Sequence, residues 1–128
     1  MSKPSVDAQT RKKRAQKFGR WAEALVRAYL RLTGRRILAA NFKTPVGEID
    51  IVARRGGVVS FVEVKARADA ATAAHAIGAS QQNRIVRAAE YFLLQNPHLQ
   101  TCTLSFDVAL VSGPLTLRYQ ADAWRPKA

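Results

Sequence analysis

The stretch Gly47-Glu48-Ile49-Asp50-Ile51-Val52 is followed, after a Gly56-Gly57 pair, by Phe61-Val62-Glu63-Val64-Lys65. Both stretches are rich in β-branched and aromatic residues, which is typical of strands, and the two glycines between them are typical of a tight hairpin turn. Charged residues are rare in strands this apolar, because burying a charge without a partner is costly. The four charges of this hairpin therefore require an explanation.

The turn determines which of these charged side chains face one another. A two-residue type I′ turn at Gly56-Gly57 places Asp50 opposite Glu63 and Glu48 opposite Lys65. Directly opposed residues have Cβ atoms about 4.5–5.5 Å apart. Two carboxylates at that separation repel each other unless a cation lies between them, and a divalent metal with oxygen ligands is the obvious candidate. A turn longer by one residue would remove this pairing.

A second interpretation of the same charges is a Glu–Lys ladder on a solvated strand face. Val52, Val59 and Phe61 weigh against it, because they share that face and are residue types that favour burial. We therefore expect the carboxylates to form a site at one end of the hairpin.

The composition limits the class of protein and its partners. The chain has 128 residues, 48% of them hydrophobic, which suits one folded domain. Its formal net charge of +12 favours a polyanionic partner, of which nucleic acid is the commonest. The single cysteine, Cys102, allows no internal disulfide, and neither a secretory signal nor a bilayer-spanning stretch is evident. We expect a soluble, cytoplasmic protein without a membrane partner.

Apolar periodicity and turn residues predict two helices and five strands in the order α-β-β-β-α-β-β. The helices are expected over 15–32 and 80–94, with Ser80 as the N-cap of the second, and the strands over 36–42, 48–54, 58–66, 101–111 and 115–121. Residues 67–79 are rich in alanine and predict a mobile loop or a frayed helix. The crossover from the third strand through the second helix to the fourth strand predicts parallel pairing. The fold class is therefore α/β, with a mixed sheet flanked by helices.

Residues 1–14 are polar and basic and contain Arg11-Lys12-Lys13-Arg14. This composition predicts a flexible tail that precedes a single domain over 15–128. The tail would act either as a solubilising charge run or as an arm that contacts phosphates.

The first helix carries a carboxylate beside its apolar stripe. The stripe steps by three and four residues through Phe18, Ala22, Leu25, Tyr29 and Leu32. Glu23 lies off that stripe and has two interpretations. It forms either an exposed ion pair with Arg27 or a carboxylate that leans over the sheet edge toward the hairpin site.

Asp50 followed by Glu63-Val64-Lys65 resembles the motif of the PD-(D/E)xK nuclease superfamily, although Ile49 replaces the proline that names the motif. A wider pattern resembles the YraN-like family of uncharacterised bacterial proteins. That pattern comprises the helix with Glu23, Gly-Glu-Ile-Asp at 47–50, Phe-Val-Glu-Val-Lys-Ala-Arg at 61–67, the helix with Gln82, Arg84 and Ile85, and Phe106-Asp107-Val108. The chain is also similar to archaeal Holliday-junction resolvases.

These resemblances imply a restriction-endonuclease-like core and a metal-dependent nuclease. They imply that Glu23, Asp50, Glu63 and the carbonyl of Val64 bind Mg²⁺, with Mn²⁺ as a substitute, and that Lys65 orients or activates the attacking water. By the same likeness Gln82 would support the site, where a lysine was expected before it and Gln81 stands instead. Glu48 has no settled role in such nucleases and would hold Lys65 in place. The junction resolvases also imply a homodimer.

The chemistry agrees with this resemblance. Phosphodiester hydrolysis needs neutralisation of the attacked phosphate, a nucleophilic water and stabilisation of the leaving oxygen, and a divalent metal with a nearby lysine meets these needs. Phosphate contacts are expected from Arg11, Lys12, Lys13, Arg14, Arg35, Arg36, Arg54, Arg55, Arg67, Arg84 and Arg87.

Three further residues are expected to have structural roles. Asp107 lies in an apolar run and is either a buried acid satisfied by neighbouring donors, which we favour, or a support for the site. Trp21 and Trp124 are interpreted as packing residues.

Three functions remain open at this point. The first is a metal-dependent endonuclease acting on branched or structured DNA, with DNA favoured over RNA. The second is a nucleic-acid-binding protein that keeps a nuclease fold with little turnover. The third, a basic protein that docks on ribosomal RNA, accounts for the charge but not for the carboxylates of the hairpin.

Overall fold

The computed structural model describes residues 6–67 and 77–126. In chain order the elements are α1 (Val6–Leu32), β1 (Arg36–Thr44), β2 (Gly47–Arg55), β3 (Val58–Ala66), α2 (Ala79–Gln95), a 3₁₀ turn (Pro97–Leu99), β4 (Thr103–Gly113) and β5 (Thr116–Trp124). The predicted element order is confirmed. Most of the segment expected to be a mobile loop or frayed helix, residues 68–76, lies outside the described residues.

The five strands form one sheet in the order β1-β2-β3-β4-β5. The pairing of β3 with β4 is parallel, and the other three pairings are antiparallel. Parallel neighbours need a long crossover, which the segment containing α2 provides. The predicted mixed α/β sheet flanked by helices is therefore confirmed.

Each helix covers one face of the sheet. On one face, α2 packs through Ile85 and Phe92 against a cluster that includes Phe61 of β3. On the other face, α1 packs through Val26 against a cluster that includes Val62 of β3. Neighbouring strand residues point to opposite faces, so this alternation gives the sheet two separate apolar layers.

The buried stripe of α1 is rotated from the predicted one. Ala22, Val26 and Leu30 are fully buried, whereas Leu32, predicted to face inward, is 87% exposed. The stripe therefore passes through positions spaced by four residues and leaves the last two residues of α1 in solvent. Glu23 precedes Val26 by three residues and Leu30 by seven, so it lies on the side of the helix that turns toward the sheet.

Both helices begin earlier than predicted. Residues 6–14, expected to be part of a flexible tail, are the first turns of α1, and residues 1–5 lie outside the described range. These positions contain good helix formers and neither glycine nor proline, so nothing local stops the helix. The N-cap of α2 is Gly78 rather than Ser80, which lies inside the first turn.

The two tryptophans differ in their surroundings. Trp124 packs against Phe106 with ring centroids 4.5 Å apart, as predicted for a packing residue. Trp21 is 48% exposed, so the same prediction is wrong for Trp21. No helix in the described ranges combines the length and the apolar character needed to cross a bilayer.

Candidate active site

The β2–β3 hairpin is paired next to its turn and opens toward its other end. The pairing runs from Arg55 opposite Val58 to Ile51 opposite Val62, which is the predicted register. Of the two turn glycines, only Gly56 has a positive φ, at 60°. This is the pattern of a type II′ turn, so the predicted type I′ turn is wrong while its two-residue length is right.

Asp50 is the residue at which this pairing ends. Its Oδ2 accepts a hydrogen bond of 2.8 Å from the backbone N–H of Val64, a bond that a strand carbonyl would accept in a regular sheet. The side chain of Asp50 thus replaces a backbone acceptor and is fixed in orientation by β3.

The backbone of β2 is irregular around Asp50. Ile49 and Ile51 would share a face in a regular strand, yet Ile49 packs on the α2 side of the sheet and Ile51 on the α1 side. On the neighbouring strand, Asn41 has a φ of 52° at the corresponding position. Such an irregularity redirects side chains locally, and here it turns the Asp50 carboxylate toward the backbone of β3.

The structure brings Asp50 and Glu63 together, as the hairpin register predicts. The two carboxyl groups lie close enough for each to alter the pKa of the other. Burial, followed by the negative charge of Asp50, raises the pKa of Glu63 from 4.5 to about 7, although the Lys65 charge opposes this rise. Two carboxyl groups in this position behave as a pair that shares one proton.

The pKa of Asp50 is also raised. Burial is the main cause and outweighs the hydrogen bond from Val64, which favours the charged carboxylate. The negative charges of Glu23 and Glu48 raise this pKa further. The described ion pairs do not include one between Glu23 and Arg27, and a direct role of Glu23 in the hairpin site stays a prediction.

A second set of contacts joins Glu63, Lys65 and Gln81. The Gln81 Nε2 donates a hydrogen bond of 2.8 Å to Glu63 Oε1, and the Lys65 Nζ donates one of 3.3 Å to Gln81 Oε1. The Lys65 Nζ also lies 3.6 Å from Glu63 Oε1. The side chains of Lys65 and Glu63 are only 21% and 11% exposed, so this charge pair is shielded from water. Gln81 therefore contacts both charged side chains of the β3 motif, Glu63 and Lys65, and fixes their relative positions.

Gln81, rather than the predicted Gln82, contacts the site. The Gln82 side chain instead donates to the backbone carbonyl of Ile77 at 3.1 Å. Helical periodicity does not separate the two residues, because Gln81 precedes the buried Ile85 by four positions and Gln82 precedes it by three.

Glu48 does not have the predicted partner. Its register with Lys65 is lost because the hairpin opens before reaching it, and Lys65 pairs with Glu63 and Gln81 instead. In the part of the chain that the structure describes, no ion pair joins Glu48 to Lys65.

The donor set suits a hard divalent cation in part. Asp50 and Glu63 are neighbouring carboxyl groups, and a cation would relieve the repulsion between their charged forms. Mg²⁺ is commonly bound through one or two carboxylates with the remaining positions filled by water. Within residues 6–67 and 77–126, no three His, Cys, Asp or Glu side chains come close enough to hold a metal together. Glu23 and Val64 could therefore complete the coordination only through water or the backbone.

A groove of about 420 Å³ adjoins the carboxylates. It is lined by Lys43, Thr44, Gly47, Glu48, Gln81, Arg84 and Ile85. Lys43 and Arg84 give it two cations, and Gln81 connects it to Glu63. Lys43 was missed by the sequence analysis, although its place opposite Glu48 across the β1–β2 hairpin follows from the tight turn between these strands.

Gly47 allows α2 to approach this groove closely. A Cβ atom at Gly47 would lie 2.5 Å from the backbone oxygen of Arg84, a distance that no side chain tolerates. The glycine therefore brings the first turns of α2, which carry Gln81, against the start of β2.

The predicted phosphate-contacting residues divide into groups. Arg84 lines the groove, and Arg67 follows β3 at the same end of the sheet. Arg35, Arg36, Arg54 and Arg55 lie at the opposite end of the sheet, near the Gly56-Gly57 turn. The remaining residues are exposed on the helices: Arg11, Lys12, Lys13 and Arg14 on α1, and Arg87 on α2.

Three of the four distal arginines already have structural partners: Arg54 donates to the Gly56 carbonyl at 2.9 Å, and Arg35 and Arg55 contact Thr33 just after α1. Arg35 donates to the Thr33 hydroxyl at 2.6 Å and lies over the Tyr119 ring. Arg55 donates to the Thr33 carbonyl at 2.9 Å. These contacts link the end of α1 to the sheet and leave these two side chains less suited to phosphates.

Asp107 has the structural role that we favoured. It is 1% exposed and accepts hydrogen bonds from the Ser105 and Tyr119 hydroxyls and from the Asp122 backbone N–H. Burial, followed by the Asp107 charge, raises the pKa of the Tyr119 hydroxyl, which therefore remains a donor. These bonds attach β5 to β4 at the point where Asp122 adopts a positive φ of 52°.

Comparison with known proteins places this site in a family. The model of the family described as "Uncharacterised protein family UPF0102" matches residues 22–111, which contain the carboxylates, the lysine and Gln81. The chain belongs to this family. A UPF0102 protein of Parvibaculum lavamentivorans is 46% identical over 112 residues, which cover 88% of this chain and 84% of that protein. A UPF0102 protein of Rhodopseudomonas palustris, RPA0323, is 47% identical over 123 residues, which cover 96% of this chain and 92% of that protein. The YraN-like resemblance is thereby confirmed.

Proposed function

We propose that this UPF0102 protein is a nucleic-acid-binding, metal-dependent endonuclease that hydrolyses phosphodiester bonds in branched or structured DNA. The observation that carries the proposal lies where β2 and β3 separate: Glu63, Lys65 and Gln81 contact one another, and the Val64 N–H holds Asp50 beside them. A purely structural hairpin would pair its backbone here and place apolar side chains on its faces. The likeness to the PD-(D/E)xK nucleases and to junction resolvases supports the same reaction.

The residues of the site divide the work of hydrolysis. Asp50, fixed by the Val64 N–H, and Glu63, fixed by Gln81, would hold Mg²⁺ or Mn²⁺. When bound, such a cation neutralises charge on the phosphate and lowers the pKa of a coordinated water. Lys65 places a further positive charge beside the carboxylates, where it orients the attacked phosphate or the water.

The groove provides the binding side of the proposal. Lys43 and Arg84 lie on two of its walls and would hold a phosphate next to the one that is cleaved. Glu23, by its charge on Asp50, would strengthen the attraction of the site for a cation. A homodimer, by the same likeness to junction resolvases, would place two such sites on a branched substrate.

A second function is favoured by one observation. Because no three metal-ligand side chains meet within the described ranges, the site is less complete than a three-carboxylate centre. A protein with this arrangement could bind nucleic acid through its cations and turn over slowly or not at all.

Cleavage of a defined panel separates the two functions. The panel contains a four-way junction, a flap, a single strand, a duplex and a structured RNA, each incubated with Mg²⁺, Mn²⁺ or EDTA. We expect the wild type to cut the branched DNA only with metal, and Lys65→Ala, Asp50→Asn and Glu63→Gln to cut none while still binding it. Glu90→Gln, which changes an exposed carboxylate on α2, is the matched control and should cut normally. Binding by the wild type without metal-dependent cutting would favour the second function, and absence of binding would refute both.

A further inference from the structure

Trp21 is a half-exposed aromatic side chain that is hydrogen-bonded to a neighbouring turn. It is 48% exposed, and its Nε1 donates a hydrogen bond of 2.6 Å to the carbonyl of Pro114 in the turn between β4 and β5. An indole anchored by its edge keeps one orientation while its face remains available. Leu115, the next residue of the turn, is 82% exposed and enlarges this apolar surface.

Positive charges surround this tryptophan on α1. Lys17 precedes Trp21 by four residues and Arg14 precedes it by seven, so both share its side of the helix, and Arg20 adjoins it. All three side chains are exposed. An exposed aromatic ring among cations has the chemistry that binds single-stranded nucleic acid, in which bases stack on the ring while phosphates contact the cations.

The position of Trp21 connects it to the candidate active site. The strand β4 runs parallel to β3, with Val108 beside Glu63, and continues for six residues to Pro114. At about 3.3 Å per residue the turn lies on the order of 20 Å from Glu63. The turn and the carboxylates are at the same end of the sheet, because β3 and β4 run parallel. A few nucleotides of extended strand can span this distance.

We propose that Trp21 is a stacking platform for an unpaired base, so that the substrate of this site carries a single-stranded segment next to the phosphodiester bond. Lys17 and Arg14 hold the phosphates of that segment, and Leu115 contacts the edge of the stacked base. A continuous duplex offers no free base face and therefore gains nothing from Trp21. The inference rests on the proposed nucleic-acid function and narrows its substrate to strands with unpaired nucleotides.

Tryptophan fluorescence tests the contact directly, because the chain has two tryptophans. In the variant Trp124→Phe, Trp21 is the remaining reporter. We expect its emission to be quenched on titration with a single-stranded 12-mer and to change little with a duplex of equal length, both in EDTA. Equal quenching by the two DNAs, or none while an end-labelled 12-mer shows binding by anisotropy, would overturn the proposal.

Substitution at the platform provides the second measurement. Trp21→Ala should weaken binding of the single strand about tenfold, which is the scale of one base–aromatic stack, and leave duplex binding unchanged. Trp21→Phe keeps a ring without the N–H group and should bind within about threefold of the wild type. Equal losses in both variants would show that the bond to Pro114 matters and the ring does not, which would overturn the proposal. Normal binding of the single strand by Trp21→Ala would refute the stacking platform and would indicate that the exposed ring contacts another partner, such as a protein.

The outcomes separate this inference from the proposed function. If neither the single strand nor the duplex binds, the nucleic-acid function itself fails. If both DNAs bind with the same affinity and the emission of Trp21 does not change, the nucleic-acid function stands and the stacking platform is refuted.

Discussion

Replacing Glu63 by glutamine should stabilise the metal-free protein at alkaline pH. Glu63 has a pKa of about 7 in the folded chain, against 4.5 for the free side chain. The folded state therefore binds its proton more tightly than the unfolded state does. The stability that this proton provides is complete below pH 4.5 and is lost as the pH rises through 7.

The size of the effect follows from the size of the shift. At 1.36 kcal/mol per pKa unit, the wild type should lose about 2 to 3 kcal/mol of unfolding free energy between pH 5 and pH 8. In Glu63→Gln the amide is neutral at every pH. Its oxygen can still accept the bond from Gln81, and its nitrogen can donate to Asp50 as the protonated acid does. The variant should therefore lose little stability over the same range and exceed the wild type at pH 8.

Urea unfolding at pH 5, 6, 7 and 8 in EDTA, followed by circular dichroism, measures this difference. Glu90→Gln is the control, because Glu90 is exposed on α2 and should follow the wild type. Parallel pH profiles for the wild type and Glu63→Gln would refute the assignment of a shared proton to this site. Addition of Mg²⁺ at pH 8, at a hundredfold excess over the dissociation constant, should then stabilise the wild type by about 2.7 kcal/mol. The variant should be stabilised less.

Four other substitutions test the surroundings of the site and the hydrogen bonds between β4 and β5. Gly47→Ala should destabilise the fold by about 1 to 3 kcal/mol in urea unfolding, because its methyl group meets the Arg84 backbone; wild-type stability would contradict the close approach. Asp107→Ala should cost about 3 kcal/mol by the same assay, because it leaves three partly buried donors without an acceptor, and a loss under 1 kcal/mol would argue against that network. In the cleavage assay Gln81→Ala should lower the rate at least tenfold and Gln82→Ala should not. A larger loss of rate in Gln82→Ala than in Gln81→Ala would instead favour Gln82, the residue predicted from the sequence.

The sequence predicted the parts of this molecule that depend on local pattern. The alternation of β-branched residues and the glycine pair were sufficient for the β2–β3 register, and the crossover rule was sufficient for the parallel β3–β4 pairing. These features are determined by neighbours in the chain. The contact between Asp50 and Glu63 followed directly from that register.

The features that the sequence did not predict depend on tertiary packing. The buried stripe of α1 passes through Val26 and Leu30 because the sheet selects one of two overlapping apolar stripes. The choice between Gln81 and Gln82 depends on how α2 is rotated over β2, which the close approach at Gly47 sets. The irregularity at Asp50 has no sequence signal of its own, since the residues beside it are ordinary strand formers.

The carboxyl groups of Asp50 and Glu63 lower the stability of the fold, and a feature that lowers stability indicates a functional role. Replacing a buried charged group by a well-packed apolar one is often neutral or stabilising, so a hairpin selected for stability alone would carry apolar residues at Asp50 and Glu63. The chain instead interrupts its backbone pairing, turns a side chain into the acceptor for Val64 and brings two acids close together. Gln81 and Lys65 then fix this arrangement, and the single positive charge of Lys65 offsets only part of the negative charge that Asp50, Glu63 and the nearby Glu23 and Glu48 bring. Strain of this kind persists where it serves a site, and here the excess charge is what a divalent cation would neutralise.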